Sequence, residues 1–200
     1  MAIDVKQLQT IIDNLVTQEM RDFANTPDAD KNRLRQLRQK DVLDSFSSNQ
    51  FLSKLNLILF LAKCLSKDEL YIYEDTVSNM IVNLCKPCQT FNWHFDTNEF
   101  TITFLLKGAE SGGYFEFVPN LRSTSDECFE EVKKVLDGDR SRVKRLNLRA
   151  GDLQFFLGRY SLHKVTHNTG NTDRLLLIQS FTEAPGIVGS PERVKDLYGK

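Results

Sequence analysis

The sequence predicts an α+β protein in which N-terminal helices pack against a strand-rich second part. Apolar residues recur with a helical period over Val5–Phe23, and a second amphipathic helix is expected over Asn49–Leu65. From Tyr71 onward, short apolar or alternating runs are separated by Gly, Asn, Asp and Pro, as in a β-sandwich or barrel. The 200 residues therefore predict one domain, with residues 1–70 as a helical region packed on a core of residues 71–200.

Six runs in the second part are predicted strands because each is short, apolar or alternating, and bounded by turn residues. They are Met80–Leu84, Phe100–Leu106, Tyr114–Val118, Val143–Leu148, Leu153–Leu157 and Leu175–Phe181. A helical insert is expected over Asp126–Leu136, and a C-terminal helix over Pro191–Tyr198.

Composition narrows the class of function. With 26 basic and 27 acidic residues the net charge is −1, so no basic field predicts a nucleic-acid partner. The longest apolar stretch, Leu55–Ala62, is too short to span a bilayer, and the N-terminus lacks the pattern of a signal peptide. A cytoplasmic location with no membrane partner is therefore expected. The cysteines are expected to be reduced, and the single CxxC motif, Cys85 to Cys88, to be structural.

Three residues of the second part have the types and spacing of metal ligands. His94 and Asp96 are two residues apart, so on an extended backbone their side chains share one face and can converge. His163 lies downstream in RYSLHKVT, a segment that also resembles a strand. Two imidazoles and one carboxylate form the facial triad of non-haem Fe(II) oxygenases. The same ligand types can hold zinc in a hydrolase, and such triplets also arise by chance.

Arg174 favours the iron site over the zinc site. It follows His163 by eleven residues, at the start of the strand RLLLIQSF. A dicarboxylate cosubstrate that chelates iron through its keto-acid end needs a buried, permanently charged partner for its far carboxylate, and a guanidinium supplies one. A zinc hydrolase gives no reason for this arginine. The alternative for Arg174 is a surface salt bridge.

With these four residues the chain resembles the Fe(II)/2-oxoglutarate oxygenases, whose pattern is HxD, a distant His, then Arg. The stretches WHFDTNEFTITFLL, ESGGYFEFVPNLR and GDLQFFLGRYSLHKVT are similar to one bacterial subgroup, which contains free-amino-acid hydroxylases and radical halogenases. The resemblance covers roughly residues 70–200. It implies a double-stranded β-helix (jelly-roll) core.

The resemblance also implies cofactors and a reaction. The expected ligands are Fe(II), held by His94, Asp96 and His163, with 2-oxoglutarate and O2 as cosubstrates. The expected reaction is hydroxylation of an unactivated C–H bond of a small polar substrate, a free amino acid or derivative, with release of succinate and CO2. In the halogenases a small residue stands at the carboxylate position and chloride takes the vacated place, so Asp96 favours a hydroxylase. The alternatives are a hydroxylase of a protein residue and a non-catalytic jelly-roll sensor or binding module.

Four further residues are candidates for binding. Thr103 is expected to hydrogen-bond the cosubstrate, although a β-branched residue in a strand needs no such role. Glu116, Arg159 and Trp93 are candidate substrate contacts. The alternatives are a solvent-facing strand residue for Glu116, an exposed turn residue for Arg159 and core packing for Trp93.

Overall fold

A computed structural model of the chain describes residues 55–75 and 78–192. The predicted helix Val5–Phe23, the first six residues of the predicted helix Asn49–Leu65, and the C-terminal helix beyond residue 192 lie outside the described residues. The described helices are α1 (Leu55–Cys64) and α2 (Phe129–Leu136). The described strands are β1 (Tyr71–Ile72), β2 (Met80–Cys85), β3 (Phe91–His94), β4 (Phe100–Lys107), β5 (Phe115–Val118), β6 (Lys144–Leu146), β7 (Leu153–Phe156), β8 (Leu162–Val165) and β9 (Arg174–Thr182).

The strands form two antiparallel sheets. In the larger sheet the order is β1-β9-β4-β7, and β2 also pairs with β9, on the edge that β1 extends. The smaller sheet has the order β3-β8-β5-β6. Strands that are distant in sequence are therefore neighbours, and the Phe156 and Phe115 rings, one from each sheet, lie 5.2 Å apart. The predicted double-stranded β-helix is confirmed.

The predicted strands are found with ends that differ by a few residues. The largest difference is in Val143–Leu148, of which only Lys144–Leu146 is a strand. Among the described strands this segment is the last of the smaller sheet, and it pairs with β5 alone. After Leu146 the chain leaves the strand and forms a turn, in which the Asp152 carboxylate accepts a hydrogen bond from the backbone N–H of Arg149 (2.7 Å).

The register of the larger sheet defines an inner face, which is turned toward the smaller sheet. On β4 the inner residues are Thr101, Thr103 and Leu105, because residues two apart share a face. Ile102 lies on the outer face and packs in one buried cluster with Leu61 of α1. The chain thus buries one face of this sheet under a helix and leaves the other for the space between the sheets.

The smaller sheet is covered in the same way. Val135 of α2 packs with Val118, Leu121 and Leu162 on its outer face.

Within residues 55–75 and 78–192, no helix is long and apolar enough to cross a membrane.

Candidate metal and cosubstrate site

His94, Asp96 and His163 converge in the space between the sheets. β3 ends at His94, which pairs directly with His163 of β8. The Oδ1 atom of Asp96 lies 3.4 Å from Nε2 of His163 and 3.8 Å from Nε2 of His94. Each residue offers one ligand atom, and these atoms lie within 4.8 Å of one another. The spacing expected from sequence therefore produces a group that can hold a metal ion.

Hydrogen bonds to the main chain orient both imidazoles. Nδ1 of His94 lies 2.7 Å from the carbonyl oxygen of Asn92, and Nδ1 of His163 lies 2.8 Å from that of Ser161. A carbonyl oxygen can only accept, so each Nδ1 carries the hydrogen. In the neutral ring the lone pair is then on Nε2, the atom that can bind a metal. Both lone pairs belong to the atoms nearest Asp96.

A second set of contacts holds the carboxylate of Asp96. The Thr101 hydroxyl donates to Oδ2 of Asp96 at 2.5 Å, and it accepts a hydrogen bond from the amide of Asn98 at 2.9 Å. Because the Asn98 amide donates to the Thr101 oxygen, the hydroxyl hydrogen of Thr101 is directed at Asp96. The backbone N–H of Asp96 donates to the carbonyl of Gly158 at 3.1 Å. Asp96 is thus fixed before any metal binds.

Gly158 makes room for this carboxylate. A Cβ atom added at Gly158 would lie 2.1 Å from Oδ2 of Asp96 and 2.5 Å from the hydroxyl oxygen of Thr101. Sequence analysis missed Gly158, Thr101 and Asn98. Of these, only Thr101 could have been predicted, because it shares a face of its strand with Thr103, the candidate cosubstrate contact.

Charge interactions within the cluster favour an ionised carboxylate. Burial on its own would raise the pKa of Asp96, but the His163 imidazole, with help from His94 and Thr101, holds that pKa well below its usual range. Burial likewise disfavours a charged His163, yet the carboxylate of Asp96 outweighs it and raises the pKa of the imidazole. A divalent cation can replace that proton and satisfy the same carboxylate. Two imidazole nitrogens and one carboxylate oxygen fit Fe(II).

Arg174 is a buried cation for which the described residues provide no anion. It begins β9, is only 2% exposed, and its Nη1 atom has no hydrogen-bond partner among the described residues. Burial lowers the pKa of its guanidinium to about 10. The neighbouring Cys85 supplies no charge, because burial raises the pKa of its thiol to about 11. A buried charge without a partner is costly, so this site fits a ligand carboxylate.

The surroundings of Arg174 leave space for such a ligand. The arginine lines a cavity of about 130 Å³ together with Leu105 and Phe115. The ring of Phe115 also lies 5.6 Å from that of His163, so one side chain borders both the cavity and the cluster. Gly113 permits the approach, since a Cβ atom there would lie 3.0 Å from Cδ of Arg174. The residues therefore fit 2-oxoglutarate, with Arg174 as the partner of its far carboxylate.

Thr103 lies on the inner face of β4, buried, between Thr101 and Leu105. It is thus placed between the metal cluster and the Arg174 cavity, and its contact with the cosubstrate stays a prediction. Arg159 is exposed and directly follows Gly158. Its contact with a substrate also stays a prediction.

Glu116 and Trp93 are not brought to the cluster. Glu116 faces outward from the smaller sheet, where Arg145 donates to its carboxylate at 2.5 Å and Lys164 lies 3.4 Å away. Trp93 packs beside Val118 and Leu162 on the same outer face. Successive side chains of a strand point to opposite faces of the sheet. Trp93 directly precedes His94, and Glu116 lies between two residues that face His163, so both side chains point away from the cluster. Neither side chain faces the cluster, and a contact of either one with a substrate stays a prediction.

Comparisons with known proteins agree with this geometry. A model of the Halogenase D family, HalD, matches residues 5–187. AviO1 from Streptomyces viridochromogenes Tue57 is 14% identical, with a TM-score of 0.62, over 95% of this chain and 90% of that one. The non-heme alpha ketoglutarate dependent carbocyclase SnoK is 13% identical, with a TM-score of 0.61, over 91% and 77%. A prolyl-4-hydroxylase from Pseudomonas putida is 14% identical, with a TM-score of 0.51, over 91% and 89%.

No curated protein matches the sequence. At these identities the solved structures show the fold. That fold, with its His-Asp-His cluster, is that of the 2-oxoglutarate- and Fe(II)-dependent oxygenases. Within that class the chain belongs to the Halogenase D family, whose model spans most of its length. The 2-oxoglutarate- and Fe(II)-dependent oxygenase class implies Fe(II), 2-oxoglutarate and O2 as the cofactor and cosubstrates.

Proposed function

We propose that this protein hydroxylates an unactivated C–H bond of a small polar substrate, a free amino acid or a derivative of one. The observation that carries the proposal is the position of the Asp96 carboxylate, which is held beside the imidazole of His163. It lies 3.4 Å from Nε2 of His163, and Thr101 holds it by a hydrogen bond. The substrate class rests on the resemblance of residues 70–200 to free-amino-acid hydroxylases.

Asp96 separates hydroxylation from halogenation. In the radical halogenases that the sequence resembles, a small residue at this position leaves room for chloride. Here the position is filled by a carboxylate whose pKa is held low, so it is an anionic ligand in place of the halide. This supports a hydroxylase even though the family carries the name of a halogenase.

When bound, iron with 2-oxoglutarate and O2 supplies the oxidising power to replace one C–H hydrogen by hydroxyl, with succinate and CO2 as the other products. The role of the protein residues is to bind and orient the metal and the cosubstrate and to keep water away from them. His94, Asp96 and His163 would hold the metal, and Arg174 would hold the far carboxylate of 2-oxoglutarate. Phe156 packs edge-on against His163, with ring centroids 4.9 Å apart, and so excludes water from the buried side of the cluster.

The first test is binding. Anaerobic protein with Fe(II) and 2-oxoglutarate should show the weak visible charge-transfer band of the chelate. His163→Ala and Asp96→Ala should weaken or abolish it. The matched control is His167→Ala, because His167 is exposed and four residues from His163. A wild-type protein without this band would contradict the proposal.

The second test is turnover. Succinate release is measured over a panel of free amino acids in a chloride buffer, and the products are analysed by mass spectrometry. We expect one amino acid or derivative to gain a single oxygen atom. A chlorinated product would overturn the hydroxylase assignment and keep the oxygenase one. No succinate with any amino acid would overturn the substrate class.

A further inference from the structure

Gln154 is a buried side chain whose amide group makes no hydrogen bond with the described part of the chain. It lies on β7, is 8% exposed, and pairs in register with Thr103. Among residues 55–75 and 78–192, neither its Nε2 nor its Oε1 atom finds a hydrogen-bond partner. Buried polar groups in folded proteins are nearly always hydrogen-bonded, so this exception requires an explanation.

The side chain of Gln154 points into the space between the sheets. Phe156, two residues further along β7, faces the same way and contacts both Phe115 and His163 of the smaller sheet. Phe155, between them, is 39% exposed. The unused amide is therefore on the face that carries the metal site.

Along that face Gln154 lies between the metal cluster and Arg174. The side chains of paired residues form rows across the sheet. The row of Phe156 and Thr101 is next to Asp96, because Thr101 donates a hydrogen bond to the Asp96 carboxylate. The next row pairs Gln154 with Thr103. Further along β9, in the direction away from the cluster, the chain reaches Arg174. A dicarboxylate that extends from the cluster to Arg174 has to pass the row of Gln154.

The chemistry of the amide matches such a ligand. Nε2 is a donor, and the oxygen atoms of an oxoacid are acceptors, for which a charge-assisted hydrogen bond is stronger than a neutral one. Nη1 of Arg174 is a second buried donor without a partner among the described residues. Two such donors on one face are suited to one anionic ligand.

A second buried glutamine of the same sheet shows the contrast. Gln179 of β9 is 6% exposed but lies on the outer face, and its Nε2 donates to the carbonyl of Asn79 at 2.8 Å. The fold thus provides a partner for a glutamine that has a structural role. For Gln154 the described residues provide none, on the face that carries the metal cluster.

We propose that Gln154 binds the cosubstrate, with its Nε2–H donating to an oxygen of 2-oxoglutarate between the iron ligands and Arg174. The inference rests on the proposed function in that it requires 2-oxoglutarate to bind there. It assigns Gln154 as a determinant of cosubstrate affinity.

The test compares Gln154→Met with Gln179→Met, because methionine keeps the length of glutamine and removes its polar atoms. The dissociation constant for 2-oxoglutarate is taken from the anaerobic charge-transfer band, and the Tm is measured without ligand. Gln154→Met should weaken 2-oxoglutarate binding about tenfold and leave the Tm unchanged or higher, since an unpartnered buried amide is lost. Gln179→Met should lower the Tm and leave the dissociation constant unchanged.

Two outcomes overturn the inference while the proposed function stands. In one, Gln154→Met lowers the Tm as Gln179→Met does and binds 2-oxoglutarate normally, which would make Gln154 structural. In the other, 2-oxoglutarate affinity is unchanged but the KM of the amino acid substrate rises, which would make Gln154 a substrate contact. Absence of the band in the wild type would instead overturn the proposed function, and this inference with it.

Discussion

Replacing Gly158 by alanine should weaken metal binding severely while the sheets remain folded. The added Cβ would lie 2.1 Å from Oδ2 of Asp96, whereas ordinary contact begins at 3.4 Å, so the carboxylate has to move by about 1.3 Å. Metal–ligand distances tolerate shifts of only about 0.2 Å. Gly158 has no left-handed backbone angle, so alanine causes no backbone strain here.

The expected changes in folding stability and in metal affinity depend on which atoms the added methyl group displaces. The carboxylate is the end of a side chain and can turn away, so the free energy of unfolding should fall by about 2 kcal/mol, the value of a hydrogen bond to a charged group such as the one from Thr101. Loss of an oriented ligand should lower metal affinity on the order of 10–100-fold. We therefore expect a variant that is folded and deficient in metal.

Anaerobic calorimetry with Mn(II), a redox-stable substitute for Fe(II), measures the affinity. Gly108→Ala is the matched control for metal affinity, because the nearest atom to its added Cβ is 4.0 Å away. In an Asp96→Ala background, Gly158→Ala should reduce affinity little further, since the group that it displaces is gone. If Gly158→Ala binds metal as the wild type does, the packing argument is refuted.

Three further predictions concern the contacts around the site. Thr101→Val should lower metal affinity about tenfold or more, because the donor to Asp96 is lost, and Thr101→Ser should restore it; equal effects of the two would contradict this role. Arg174→Lys should raise the KM for 2-oxoglutarate about tenfold or more with a smaller change in kcat, since lysine keeps the charge and loses the two parallel donors; an unchanged KM would remove Arg174 from the site. Glu116→Gln should lower the free energy of unfolding by about 1 kcal/mol at neutral pH. Burial opposes ionisation of Glu116, but Arg145 and Lys164 depress its pKa below the ordinary 4.5. This stabilisation is therefore fully present above pH 4.5 and is lost progressively as the pH falls from 4.5 through the lowered pKa. A difference between wild type and Glu116→Gln that does not change with pH in urea titrations would show that packing is its cause.

Local patterns predicted most of the strands, although β1 and β3 were missed, and they selected candidate metal ligands. Alternation and turn residues depend on neighbours in sequence, so β2, β4, β7 and β9 were predicted to within one residue at each end. The same two-residue period placed His94 and Asp96 on one face. Applied to Trp93, it also predicts that this side chain faces away, as the structure shows.

Sequence alone therefore predicted the class of fold and selected His94, Asp96, His163 and Arg174 as candidates, from residue type, from the two-residue spacing of His94 and Asp96, and from the resemblance to a known pattern. Tertiary structure decided what surrounds them. The 2.1 Å approach of Gly158 to Asp96 and the isolation of the Gln154 amide depend on strands that pair across long stretches of chain. Register and packing between the sheets are non-local, so no pattern within one segment specifies which residue opposes the carboxylate or which buried amide lacks a partner.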